Sequence, residues 1–291
     1  MKIGVYARIL NREQHGDFVN KFFRFLSDQG ITCLVHPVLH QTLREWQTDF
    51  TVELLPEHLT GDEIDILFSL GGDGTVLDTL SIVRDTGTPV LGVNLGRFGF
   101  LASSQQDNFE QNFEAIKKGN YSIDPRSVLQ LDSDLELFNG FPYSLNDFII
   151  HKKDTSSMIT VHTSLNGEQF NSYWADGLII ATPTGSSGYS LSCGGPIVFP
   201  GSASFAVTPI APHNLTVRPL IIGDNNEISF SVDSRTEDFL VTLDNRSVSV
   251  QRGTKLVVKK ASFVFNMVRL PGHSYSNTLR NKLMWGLDKR N

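Results

Sequence analysis

The sequence is poor in cysteine, in basic charge and in long apolar runs, and each shortage removes a class of protein. Two cysteines in 291 residues, Cys33 and Cys193, cannot build a disulfide framework or by themselves a structural zinc site, and they suit a reducing compartment. A formal net charge of −6 leaves no basic excess for a nucleic-acid footprint, so nucleic acid is not expected as a partner. No stretch approaches the roughly 18 uninterrupted apolar residues of a membrane span, so no membrane is expected either. Met1-Lys2-Ile3-Gly4-Val5-Tyr6-Ala7-Arg8 lacks a long apolar core before its next charge and reads as a first strand rather than a signal peptide. The expectation is a cytoplasmic protein. With 40% hydrophobic and 19% charged residues, the chain is long enough for one large or two ordinary domains, each with its own core.

What is there is organised around Leu70-Gly71-Gly72-Asp73-Gly74-Thr75, directly after the apolar run Ile64–Ser69. A short, nearly continuous apolar run reads as a buried parallel strand, and the glycines at its end force a tight turn. Such a turn lets the backbone approach a ligand and offers several NH groups at once, as phosphate cradles do. A bare carboxylate repels phosphate. Asp73 therefore points either to a metal ion between them or to a proton acceptor for an attacking hydroxyl, and both belong to phosphoryl transfer.

Up to residue 121 the pattern alternates strand and helix. Lys2 to Tyr6 is strand-like, Phe18, Phe22, Phe23, Phe25 and Leu26 recur at helical spacing before Gly30, and Ile31 to Val35 gives a second strand. Gln41 to Glu63 is polar and is expected to be an irregular, mobile excursion. A helix over 75–84 and a strand over 89–94 follow the glycine turn, which predicts a parallel sheet with ligand groups beyond the carboxyl ends of its strands. Asn94-Leu95-Gly96-Arg97-Phe98-Gly99-Phe100-Leu101 adds two phenylalanines among glycines, suited to one wall of an aromatic-ring pocket.

From residue 122 to 270 short alternating segments separated by Asn139-Gly140, Asn166-Gly167 and Arg252-Gly253 predict a β-rich, β-sandwich-like domain. Residues 271–291 regain helical spacing at Leu279, Leu283 and Trp285, with a helix expected over 277–287 that returns to the first domain. Within the β-rich part, Ala175 to Pro196 runs from an apolar strand into a loop dense in hydroxyls and glycines, whose NH groups and short side chains suit ligand oxygens and ring nitrogens. Asp176 and Asn146-Asp147 are polar residues among apolar neighbours; a carboxylate can bind paired ribose hydroxyls, and an amide can meet both a donor and an acceptor.

These stretches, in this order, together with Thr208-Pro209-Ile210-Ala211-Pro212-His213, Arg218-Pro219-Leu220 and the ending Leu279–Gly286, closely resemble the NAD kinases, the ending being like that of bacterial members. The resemblance implies transfer of the γ-phosphoryl group of ATP to the adenosine ribose 2′-hydroxyl of NAD, giving NADP, with a divalent metal such as Mg2+ whose ligands it does not name. It also implies a homo-oligomer, a dimer or tetramer. Carried over residue by residue, Asp73 is the proton acceptor within the phosphate loop Gly71, Gly72, Gly74 and Thr75, and Gly74 also borders NAD. Phe100 packs near the adenosine. Asn146 and Asp147 hold ribose and adenine groups, Asp147 standing where many members have glutamate. Asp176, Thr184, Ser187, Gly188, Tyr189 and Ser192 line the rest of the NAD site, with Ser187-Gly188 in place of the common threonine and alanine. His213 is placed to reach a nucleotide on a neighbouring subunit, and Asn245 lies where a glutamine is frequent.

Three rival readings stand beside this one. The glycine and aspartate turn also occurs in proteins that look like lipid and sugar kinases, but a lipid site calls for apolar lining, unlike residues 175–196. A dinucleotide sensor without turnover gains nothing from Asp73 beside phosphates. Cys33, His36 and His40 have a metal-like spacing, yet Pro37 is expected to interrupt any helix that would align them.

Overall fold

Alternation of apolar strands with one-sided helices makes the first part of the chain a parallel sheet. The computed structural model describes residues 1–284 apart from 49, 97, 98, 103, 155 and 156, and its two units are Met1–Pro125 with the residues from Phe265 onward, and Arg126–Val264. The first begins with β1 (Lys2–Tyr6), α1 (Arg12–Asp28), β2 (Thr32–Val35), α2 (Pro37–Glu45) and β3 (Glu53–Leu54). It continues with β4 (Ile66–Gly71), α3 (Asp73–Val83), β5 (Val90–Asn94), β6 (Ser104–Gln105) and α4 (Phe109–Lys117). The order β3-β2-β1-β4-β5, parallel throughout, is that of a half Rossmann sheet. Strand order reverses between β1 and β4, so the turn after β4 lies at the position where such sheets bind ligands.

Helix α1 starts where Asn11 Oδ1 accepts the NH groups of Glu13 and Gln14, and it buries Val19, Phe22, Phe23 and Leu26. Gly30, with φ 67°, closes its end in the left-handed region that favours glycine. Phe22 meets Phe109 with ring centroids 4.6 Å apart and Phe68 of β4 at 6.0 Å, so aromatic packing joins helices and sheet.

The stretch expected to be an irregular excursion is partly ordered. Pro37 opens α2 instead of interrupting it, because a first-turn position needs no NH donor, and Leu39 and Leu43, four apart, bury one face. His36 caps that helix, its Nδ1 accepting from Val38 NH at 3.4 Å. Among the described residues no group of three or more His, Cys, Asp or Glu could hold a metal ion, which removes the Cys33, His36 and His40 reading.

The second unit is drawn from β7 (Ser122–Ser133), β8 (Tyr143–Ser144), β9 (Asp147–His151), β10 (Ile159–Leu165), β11 (Glu168–Ala175), β12 (Gly177–Ala181) and the single-turn α5 (Tyr189–Ser192). There follow β13 (Ser204–Ile210), β14 (Leu220–Gly223), β15 (Ile228–Asp233), β16 (Asp238–Leu243), β17 (Arg246–Gln251) and β18 (Leu256–Arg269). One antiparallel sheet runs β14-β13-β12-β9-β16-β17, and β11-β10-β15-β18 forms a second antiparallel set. Both feed one core, with Phe148 of the first and Phe230 of the second at 5.1 Å between rings. Asn166 and Gly167, at φ 52° and 85°, make the two-residue hairpin turn that their sequence announced. Pro209 hides β13 in the sequence; it is tolerated because the pairing of β14 ends at Val207.

The closing helix is α6 (Tyr275–Leu283), capped by Ser274 Oγ accepting from Asn277 NH at 3.2 Å and burying Leu279 in the first unit. Trp285 and Leu287 lie outside the described residues, as does Phe98. Among the described residues no helix is long and apolar enough to cross a membrane.

Candidate active site

In the first unit the site is a strand end and the loop that answers it. Strand β4 delivers the chain to Gly71, where an added Cβ would lie 2.3 Å from Thr75 Oγ1, so only glycine lets Thr75 close the turn. Gly72 CO accepts from Thr75 NH at 3.0 Å and Val76 NH at 3.2 Å, which starts α3. A Cβ on Gly72 or Gly74 would meet nothing within 4 Å, so this side of the turn faces open space.

Asp73 stands in the first turn of α3, where the helix dipole favours a negative charge. Its carboxylate takes three successive amides: Oδ2 accepts from Phe100 NH at 2.7 Å, and Oδ1 from Leu101 NH at 2.9 Å and Ala102 NH at 3.0 Å. Gly99 makes this possible, because a Cβ there would fall 1.8 Å from Asp73 Oδ1. Phe100 is half-buried, its ring 6.5 Å from that of Tyr275. Asn94 is occupied in shaping the loop: its Nδ2 donates to Gly96 CO at 3.2 Å and its Oδ1 accepts from Gly96 NH at 3.1 Å.

In the second unit three loops meet at one end of the six-stranded sheet. Pairing of Asp147 with Ala181 and of Phe148 with Leu243 sets the start of β9 beside the ends of β12 and β16. Asn146-Asp147, the hydroxyl-rich loop from Thr182 and the Asp244-Asn245 turn therefore converge. Asp244 Oδ2 accepts from Leu145 NH at 2.9 Å, and its Oδ1 accepts from Asn146 NH at 2.7 Å and Asp147 NH at 3.2 Å. From the other side Thr182 Oγ1 donates to Leu145 CO at 2.6 Å and Thr182 NH to Asn146 CO at 2.9 Å. With its backbone held on both sides, Asn146 presents a side-chain Oδ1 that is buried and has no hydrogen-bond partner among the described residues. An orphaned buried acceptor is costly unless a ligand meets it.

Asp147 is 4% exposed, and burial together with the charge of Asp244 pushes its carboxyl from 3.8 up to about 8. Burial also raises Asp244, to about 6, against the pull of its three amides and Arg246. Burial thus favours the protonated form of Asp147, which can donate a hydrogen bond. A carboxyl raised on folding contributes most stability below its unfolded value and loses it as pH rises through the folded one. Asp147→Asn is accordingly expected to lose less stability than the wild type between pH 5 and pH 8, read from melting temperatures across that range.

The loop after β12 folds back along the sheet, since Cys193 and Val198 pack on Ile149, Ile179, Ala206 and Ile210. Tyr189 therefore senses both ends of β12: its hydroxyl is raised by burial first, and also by Cys193, Asp176 and Asp147. Asp176 is ion-paired with Lys152 at 2.6 Å. Thr184 is buried and accepts from Arg126 Nη1 at 3.3 Å, while Ser187 Oγ donates to Thr184 CO at 3.2 Å. Gly188 lies beside Asn146, a Cβ there coming 3.8 Å from Nδ2. Ser192 ends α5, exposed, and Asn245 is exposed in its turn. His213 sits elsewhere, its NH donating to Trp174 CO at 2.9 Å and its ring 4.3 Å from that indole on the edge strand β11.

Sequence reasoning missed Asp244, Arg126 and Thr182. Asp-Asn between two strands reads as an ordinary hairpin turn, and nothing local signals that its carboxylate faces inward. The one available signal was Arg126, a lone cation leading into the apolar Val128-Leu129.

The model of the ATP-NAD kinase N-terminal domain matches residues 5–121 and that of the ATP-NAD kinase C-terminal domain residues 145–270. The chain is 43% identical to the NAD kinase of Flavobacterium psychrophilum with each chain covered in full, and 48% identical to that of Cytophaga hutchinsonii over 78% of each. Among solved structures it is similar in fold to a yeast NADH kinase complexed with NADH (TM-score 0.84, 23% identity, 99% of this chain and 88% of that one). An Archaeoglobus fulgidus NAD kinase in complex with ATP is similar too (TM-score 0.75, 22% identity, 98% and 99%).

Proposed function

The chain belongs to the ATP-NAD kinase family, transferring the γ-phosphoryl group of ATP to the adenosine ribose 2′-hydroxyl of NAD, and from that premise we propose which residues carry each part of the reaction. Asp73 accepts the 2′-hydroxyl proton as O2′ attacks the γ-phosphorus. The bond from that phosphorus to the bridging oxygen breaks, and ADP leaves with the electron pair. The NH groups around Gly71, Gly72, Gly74 and Thr75 cradle the phosphates, the open side of Gly72 and Gly74 supporting that role.

Phe100 packs near the adenosine. Asn146 offers its orphaned oxygen to a donor on NAD, and Asp147, protonated, donates to an acceptor on ribose or adenine. Asp176 binds ribose hydroxyls, with Lys152 holding the carboxylate in place. Thr184, Ser187, Gly188, Tyr189, Ser192 and Asn245 line the remainder. In a homo-oligomer, dimer or tetramer, His213 reaches the nucleotide of a neighbouring subunit; the exposed Trp174 and His213 pair on an edge strand supports an interface there. Two free cysteines support a cytoplasmic setting.

Mg2+ fits as the companion of ATP. That ion keeps several waters and binds substrate phosphates, which agrees with a glycine turn that presents NH groups to phosphate and leaves Asp73 one open lone pair for the proton. The ATP phosphates would hold it, and the ion would neutralise charge on the transferring group.

The observation that carries the reading is the buried, unpartnered Oδ1 of Asn146 at the meeting of three loops. Asn146→Ala is expected to raise KM for NAD about tenfold through loss of that bond, leaving KM for ATP unchanged. An unchanged KM for NAD removes Asn146 from the site.

A further inference from the structure

Asp244 carries none of the roles described above, yet it makes four hydrogen bonds to the segment 145–147. Its two oxygens take the NH groups of Leu145, Asn146 and Asp147, and its own NH donates to Asp147 CO at 3.1 Å. With Thr182 holding the carbonyls of Leu145 and Asn146, every backbone polar group of Asn146 is fixed by a partner more than 30 residues away in sequence. The Cα–Cβ bond of Asn146 therefore leaves the chain in a fixed direction. Its Oδ1 stays unpartnered while its backbone is fully satisfied, so the segment is held for something other than its own stability.

We propose that Asp244 is a positioning residue for the dinucleotide: by clamping three successive amides it holds Asn146 and Asp147 in the geometry that binds NAD. The inference rests on the reading that Asn146 meets NAD. Asp244 acts on the ligand through these two residues and through the charge it sets against Asp147. The titratable and charged groups bearing on that pair are the Tyr189 hydroxyl from α5, which feels Asp147, and the Arg246 guanidinium from β17, which acts on Asp244.

The test is steady-state NADP formation by the full chain, with KM for NAD and for ATP measured separately in Asp244→Ala, Asp244→Asn and Asn146→Ala. Asp244→Ala is expected to raise KM for NAD about tenfold with KM for ATP unchanged, from loss of charge-assisted bonds. Asp244→Asn keeps an oxygen for the amides of Asn146 and Asp147 and sets its NH2 against Leu145 NH, so it recovers most of that loss. Removing the charge opposite Asp147 also lets that carboxyl ionise at lower pH, and the alkaline limb of kcat/KM for NAD moves to lower pH in Asp244→Asn. A merely structural aspartate would lower stability without raising KM for NAD selectively over KM for ATP. If Asn146→Ala raises KM for NAD and Asp244→Ala does not, the inference is overturned while the reading of Asn146 stands. If Asn146→Ala has no effect, the reading itself fails and the inference with it. Should Asp244→Ala not fold, KM for NAD in Asp244→Asn decides, since that variant loses the bond to Leu145 NH, and a KM for NAD equal to that of the wild type overturns the proposal.

Discussion

Asp73→Asn is expected to lose about a thousandfold in kcat, the middle of the range for removing a positioned general base, while NAD binding by calorimetry changes by no more than a fewfold. The substitution is close to isosteric, so the fold around it survives. Its Oδ1 can keep the amides of Leu101 and Ala102. Only the contact with Phe100 NH is lost, where an NH2 group now faces another donor. Asn cannot take a proton from O2′. The effect is therefore confined to turnover, with a small fall in melting temperature from the one broken bond. Turnover within tenfold of the wild type would remove Asp73 from the chemistry and leave it as the anchor of loop 99–102.

The second large effect is at Gly185. A methyl group there would lie 2.1 Å from the carbonyl oxygen of Asn146 and 2.5 Å from its carbonyl carbon. Backbone cannot step aside as a flexible side chain can, and this backbone is held by both Asp244 and Thr182. Gly185→Ala must then displace either the hydroxyl-rich loop or the Asn146 segment. The expected cost is about 3 kcal/mol in urea unfolding, the upper end for overpacking, together with loss of measurable NAD binding. The neighbouring Gly188 is the control. A Cβ there comes only to 3.2 Å from Gly185 CO, so Gly188→Ala should keep both stability and binding within a small margin. Equal behaviour of the two variants would show that the close approach at Gly185 does not govern the site.

These two positions also mark what the sequence could disclose. The turn around Asp73 is legible because an apolar run followed by clustered glycines is a local signal, and local signals survive folding. That Asp73 is answered by the amides of residues 100–102 is a fact of tertiary structure, across 27 or more positions. Asp244 is further removed, 98 positions from Asn146, and its Asp-Asn turn has the composition of any hairpin. Proline misled twice. Pro37 reads as a breaker because composition cannot say whether a proline starts a helix or interrupts one, and Pro209 masks a strand whose second neighbour stops short of it. The large β-rich part was legible as such from alternation and turn residues. The lengths of β7 and β18 were not, because their outward faces carry apolar as well as polar residues.

The departures from the family pattern find a physical place. Gly188 stands where alanine is common, and the space around it nearly admits one. Asp147 stands where glutamate is common, and its shorter side chain lies buried against Asp244, which favours the protonated form.

The most direct measurement is NADP formation from NAD and ATP, followed by an NADP-specific dehydrogenase, with Mg2+ and again with EDTA. The account predicts NADP in the first reaction and none in the second, with activity restored by added Mg2+. Folded protein that binds NAD and yields no NADP with Mg2+ and ATP present would contradict it.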